Sequence, residues 1–180
     1  LELGLIAYGH RDKGSCTDIE LVVPPAAGTA DAIAAAAARI QPKGKTPLSD
    51  AVRIAAEDLR YTEDKATVIL ITDGLETCDA DPCAVASELE NAGVDFTAHV
   101  VGFGLSSEEG RQVACLAENT GGKYIAAGNA EALGQELAET VVAEPAPAPA
   151  PVAENPEYNL AVTARPAPGA APFTAGDSIR

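Results

Sequence analysis

The sequence predicts an α/β fold: a Rossmann-like, doubly wound and mostly parallel sheet with one antiparallel hairpin strand at its edge. Three observations predict it. Residues 67–72 (TVILIT) form an unbroken run of β-branched and aliphatic side chains, and Phe96–Phe103 is a second, nearly continuous apolar run. Such runs read as strands buried on both faces of a parallel sheet. Segments of helical period lie between and around them, and strands alternating with helices imply right-handed crossovers that place helices on both faces. Near the start, two short apolar stretches joined by the polar link RDKGSCTD suggest an antiparallel hairpin with a loose loop.

The elements follow in order. Residues 1–9 alternate Leu3, Leu5 and Ala7 against Gly4, Ile6 and Tyr8, and residues 19–23 are the second hairpin strand. Pro24-Pro25 is expected to stop it, since proline cannot donate to a ladder. Thr29 or Asp31 can cap an Ala-rich helix from about residue 30 to residue 40, ended by Pro42. Thr46 suits the N-cap and Pro47 the first turn of the next helix, whose Leu48, Val52, Ala55 and Leu59 recur at helical spacing. After the strand that ends in Asp73-Gly74, Asp81-Pro82 repeats the start signal for a helix over residues 83–91, closed by Gly93. His99, in the middle of the Phe96–Phe103 strand, reads as a satisfied structural histidine. Ser106-x-x-Glu109 is a capping box opening a helix through about residue 118. Residues 123–126 make a short strand, and a last helix from Ala130 to about Val142 closes a domain over residues 1–143. Residues 144–156 (EPAPAPAPVAENP) form a Pro/Ala-rich, extended linker. Residues 157–180 open with the alternation YNLAVT and read as the start of a second, β-type domain.

Charge narrows the partners. The chain carries 27 acidic and 12 basic side chains for a net charge of -15. Nucleic acid and anionic membrane surfaces both require clustered Lys and Arg, so neither is expected as a partner; cations or basic protein surfaces fit better. No apolar segment is long enough for a transmembrane helix, so no membrane insertion is expected from these residues.

The four cysteines are Cys16, Cys78, Cys83 and Cys115. Cys78 and Cys83 bracket DADP in a polar loop, a spacing that a local disulfide can close at a gain of roughly 2 kcal/mol in the chain-entropy picture. A zinc reading is weaker, because the spacing is wide and only His10 and His99 could supplement the thiolates. Four reduced thiols remain a third reading, above all for Cys115 on the apolar face of its helix.

Asp73 is the first candidate for chemistry, because open α/β sheets bind ligands beyond the carboxyl ends of their strands. The plain alternative is that Asp73-Gly74 is a turn. Gly102-x-Gly104 invites a dinucleotide reading, but the third glycine would fall at Ser107 and the next strand lacks an acidic residue for a ribose. A phosphoryl-transfer reading of ILITDGLET wants a second Asp at the position held by Leu75. No nucleophile and base share a recognisable local signature, so an enzyme is not expected. The remaining pair is Thr46 and Asp73, both expected at the carboxyl edge.

With GKTPLSDAV (residues 44–52) followed by VILITDG (residues 68–74), the sequence resembles the von Willebrand factor A family over residues 1–142. The resemblance implies a metal-ion-dependent adhesion site built from three loops: a DxSxS motif after the family's first strand, a Thr from a second loop and an Asp from a third. Thr46 matches the second element and Asp73 the third. DxSxS has no counterpart in these residues and by the family's order is expected upstream of Leu1, together with the first strand, which lies between the hairpin and the strand of residues 67–72. The sheet is therefore expected to show an unfilled slot there. Mg²⁺, or Ca²⁺ or Mn²⁺, is the implied cofactor, held weakly by two ligands, with Glu76 and Asp79 as loop solvation or water-mediated neighbours. The implied function is divalent-cation-dependent binding of a protein partner, through an acidic residue that completes the metal shell. The implied setting is bacterial and periplasmic or extracellular, with which the Cys78/Cys83 pair and the Pro/Ala spacer agree. Rival functions are an assembly cofactor docking on an ATPase or chelatase, favoured by free thiols, and a metal-dependent phosphohydrolase using Asp73.

Overall fold

The computed structural model describes residues 1–142; the expected linker and second domain lie outside the described residues. β1 (Glu2–Tyr8) and β2 (Ile19–Ala27) pair antiparallel, and β3 (Ala66–Thr72), β4 (Phe96–Phe103) and β5 (Tyr124–Ala127) form a parallel sheet in that order. The helices are α1 (Ala30–Ala37), α2 (Leu48–Asp58), α3 (Pro82–Ala92), α4 (Ser107–Glu118) and α5 (Ala130–Val142). α2 packs on β3, α3 on β4 and α4 on β4 and β5, with α2 against α3 and α3 against α4, so the three lie side by side across the parallel sheet. Their apolar stripes meet β3 and β4 in one core, in which Leu48, Val52, Leu89, Val100, Val113 and Leu116 are at most 1% exposed.

Two of the start signals act locally as expected, whereas Thr29 at the N-cap of α1 makes no side-chain cap. Asp81 caps α3 by accepting from the N–H groups of Cys83 and Ala84, and Ser106 and Glu109 form a reciprocal capping box at α4. The imidazole Nδ1 of buried His99 accepts from the Lys123 N–H at 3.1 Å, which gives this histidine its structural role. The glycines that suggested a dinucleotide loop have another use: a Cβ at Gly102 would collide with the Tyr124 hydroxyl, and Gly104 turns the chain at φ +68°.

Three expectations are corrected. β2 runs on through Pro24 and Pro25 to Ala27. It is an outer strand paired only with β1, register shifts occur around Leu5, and a Cβ at Gly4 would lie 3.0 Å from the Pro25 ring, so prolines here displace no ladder bond. α2 begins one residue later than expected, with Pro47 at the N-cap and no side-chain cap. β3 is buried on one face only: its alternate residues Ala66, Val68, Leu70 and Thr72 are buried, while Ile71 is 42% exposed.

The last point follows from the sheet order. No ladder joins β1 to β3. A groove of about 420 Å³ separates them, walled by β1 and by residues 67–71 and floored by Ala51, Val52, Ala55 and Leu59 of α2. This is the slot expected between the hairpin and β3. It is crossed at one end by Tyr8, whose hydroxyl donates to the Ile71 carbonyl at 3.0 Å.

Candidate metal centre

Four segments converge at the carboxyl end of β3: the hairpin loop after β1, the loop before α2, the loop from Asp73 to Asp81, and the start of α2. Gly9 joins the first two. Its carbonyl accepts from the Lys43 and Gly44 N–H groups, and its φ of +59° and the closeness of the Lys45 carbonyl leave no room for a Cβ. The hairpin loop is anchored by buried Asp18, which accepts from the N–H groups of Arg11 (2.6 Å) and Asp12 (2.9 Å) and from Arg11 Nε (2.8 Å). These bonds, led by that from the Asp12 amide, hold the Asp18 carboxyl far below the usual carboxylate range.

Thr46 is brought to the turn that follows Asp73. The Thr46 hydroxyl lies against the turn after Asp73, 3.8 Å from where a Gly74 Cβ would stand. It does not cap α2, so the helix-cap reading of Thr46 fails. Asp73 is exposed. The oxygen of Ser49, in the first turn of α2, is buried without a hydrogen-bond partner. Among the described residues, no group of three or more His, Cys, Asp and Glu side chains is arranged to hold a metal ion.

What holds the two loops in register was not legible from spacing. Thr77 and Thr46 are tied twice, by the Thr77 N–H to the Thr46 carbonyl (3.2 Å) and by the Thr46 N–H to the Thr77 hydroxyl (2.7 Å). Lys45 Nζ donates to the Thr77 carbonyl at 3.3 Å. Glu76, expected as loop solvation, instead bridges two segments, with one carboxylate oxygen accepting from the Ser49 N–H at 2.9 Å and the other from the Cys78 N–H at 2.8 Å. It therefore caps α2 from a neighbouring loop, where a negative charge is favoured. Asp79 stands in the same loop at φ +55°.

The cysteine pairing differs from the expected Cys78–Cys83 bridge. The disulfides are Cys16–Cys78 and Cys83–Cys115, with Cα separations of 5.6 and 5.2 Å. Asp81 draws Cys83 into the first turn of α3, which packs on α4 and Cys115. Glu76 folds Cys78 back toward α2 and the hairpin loop. The two sulfurs thus leave the loop in different directions, and no described cysteine is free. Two disulfides point to an oxidising, extracytoplasmic environment, and no described helix is long and apolar enough to cross a membrane.

The fold so assembled is that of von Willebrand factor A domains. Over 69% of the chain it resembles the SpRpn10 VWA domain, which is covered to 64%, with a TM-score of 0.53 and 11% identity. An aerotolerance-related membrane protein from Bacteroides fragilis NCTC 9343 superposes with a TM-score of 0.57 and 15% identity, over 79% of this chain and 80% of its own. Among curated proteins, the chain is 32% identical over 94 residues to the uncharacterized protein YwmD of Bacillus subtilis (strain 168), matching 51% of this chain and 42% of that protein. It is 33% identical over 90 residues to YwmC of the same organism, over 49% and 39% respectively. The chain therefore spans about two fifths of the length of the curated relatives it matches. No protein-family model matches the sequence.

Proposed function

We propose that this is a non-enzymatic binding domain that recognises a protein partner through a divalent cation held by the Thr46 hydroxyl and the Asp73 carboxylate, in a periplasmic or extracellular setting. The observation that carries the reading is the placement of the Thr46 hydroxyl, released from helix capping, against the turn that presents exposed Asp73. The donors fit a hard cation. Mg²⁺ prefers oxygen ligands and keeps several waters, the two donors are oxygens, and the cysteines are committed to disulfides. With two protein ligands the ion would be held weakly and with open positions, one of which an acidic side chain of the partner would fill. When bound, the ion supplies the positive charge that such a carboxylate needs on a chain of net charge -15. The disulfides oppose the intracellular assembly role, which free thiols at Cys78 and Cys83 would have favoured.

The test is Mn²⁺ titration of the full chain, read by paramagnetic broadening of amide signals, which reports weak sites. Broadening centred on Thr46, Asp73 and Gly74, abolished in Asp73→Ala and reduced in Thr46→Ala, is expected, since a neutral hydroxyl contributes less to a dication than a carboxylate. Broadening that is unchanged in Asp73→Ala would refute the site.

A further inference from the structure

The loop that carries Asp73 has no regular secondary structure between β3 and α3, and its position is set by cross-links of two kinds. The hydrogen bonds by which Glu76 and Thr77 tie it to other segments all reach the loop before α2 or the start of α2, while a second oxygen of Glu76 accepts from Cys78 within the loop. Its covalent tie, Cys16–Cys78, reaches the hairpin loop instead. The two ends of that tie are unequal. Cys16 stands two residues before Asp18, whose three accepted hydrogen bonds fix the hairpin loop without help from the bridge. Cys78 stands between Thr77, whose hydrogen bond to Thr46 is solvent-exposed, and Asp79, whose left-handed backbone is unfavourable for a side-chain-bearing residue. The other disulfide lacks this asymmetry. Cys83–Cys115 joins α3 and α4, which are also held by the Asn119 side chain donating to the Cys83 carbonyl and the Ser87 hydroxyl, and by buried Val85, Leu89, Val113 and Leu116.

We infer that Cys16–Cys78 is a thiol-releasable clamp that holds the Asp73 loop in register with Thr46, so that the redox state of this one bridge regulates the proposed cation site; the regulatory half of the inference rests on that reading. The co-reactant is a dithiol. One of its thiolates attacks a sulfur of the bridge, forming a mixed disulfide and expelling the other cysteine as a thiolate. Its second thiol then displaces the first cysteine, so that the dithiol leaves as its own disulfide and two electrons and two protons pass to Cys16 and Cys78. The hairpin loop keeps its Asp18 anchor, whereas the segment from Gly74 to Asp79 keeps only its hydrogen bonds and relaxes at Asp79.

The test uses the full chain and needs no metal for its first readout. In Cys83→Ser/Cys115→Ser, the remaining bridge can be opened by dithiothreitol and closed again by oxidation. Opening is expected to speed hydrogen exchange at the Ser49, Thr77 and Cys78 amides by about tenfold or more while the β4 amides are unchanged, as for a local opening, and reoxidation should reverse it. Cys16→Ser/Cys78→Ser should show the same fast loop exchange without reductant. Loop protection that survives reduction, or β4 amides that accelerate equally, would overturn the clamp, the second because the bridge would then be a global staple. Mn²⁺ broadening at Thr46 and Asp73 forms the second readout and should fade on reduction. Broadening that persists on a loosened loop would overturn the regulatory half; no broadening even when oxidised, with fast loop exchange on reduction, would instead sink the cation site and leave the clamp standing.

Discussion

β4, at the centre of the parallel sheet, has five consecutive buried residues from Ala98 to Gly102, whereas β2, on the outside of the hairpin, has none. The parallel sheet is held by burial: α2, α3 and α4 cover it, and the large side chains of that core are nearly inaccessible. The hairpin is held by its loops. Gly9 bonds to the loop before α2, Thr29 reaches back to the Leu3 carbonyl at 2.7 Å, Cys16 is bridged to Cys78, and Tyr8 spans the groove to β3. The difference teaches where the candidate site draws its geometry. Asp73 sits on the end of a strand fixed by the core, while its register with Thr46 is fixed by polar and covalent ties between loops.

The sharpest way to break this contrast is to truncate one leucine on each side. Leu116→Ala removes a fully buried side chain from the core and should cost about 2–5 kcal/mol, the range for buried leucines that leave a cavity. Leu21→Ala, at a position 39% exposed on β2, should stay within about 0.5 kcal/mol. Urea denaturation of both variants decides it, and comparable losses would show that the hairpin has a core of its own.

The same division separates what the sequence disclosed from what it hid. The β-branched runs of β3 and β4, the Asp81 cap and the Ser106/Glu109 box are local signals, legible because a residue and its near neighbours suffice to form them. The approach of the loop before α2 to the turn after Asp73 was legible because a motif and a strand end mark those two segments. The roles of Glu76, Thr77 and Asp18, and the pairing Cys16–Cys78, depend on residues far apart in sequence, and no spacing rule reports which loop will face which. Pro24 and Pro25 misled for a related reason: whether proline breaks a strand depends on whether a partner lies on its N–H side, which only the sheet order settles.

A smaller effect sharpens the hairpin side through pH. Asp18 has its folded pKa lowered by the hydrogen bonds of Asp12 and Arg11, so the unfolded chain binds its proton first as the pH falls. Its stabilisation is fully present above the ordinary aspartate range near 4 and is lost as the pH drops from there toward the folded value. Asp18→Asn should therefore be less stable than the parent at neutral pH, with the gap closing below about pH 4. Urea midpoints across pH 2–7 measure it, and a gap independent of pH would mean that the Asp18 loop is not anchored by charge.

The smallest expected effect tests the tie across the groove itself. Tyr8→Phe deletes one hydroxyl and leaves the ring. The bond lost, Tyr8 to the Ile71 carbonyl, should cost about 0.5–1.5 kcal/mol, typical of a single hydrogen bond exchanged against water. Burial raises the Tyr8 pKa above its ordinary value, opposed by the neighbouring Thr72 side chain and aided by the charges of Asp73 and Glu76. A raised folded pKa favours the neutral hydroxyl, so this contribution is intact below about pH 10, where an unfolded tyrosine titrates, and declines as the pH rises through the folded value. The deficit of Tyr8→Phe should accordingly narrow in alkaline solution. If burial alone joined hairpin and sheet, Tyr8→Phe would be silent at every pH; a measurable loss at neutral pH that shrinks above about pH 10 shows instead that a polar contact at the mouth of the groove helps to set the distance between them.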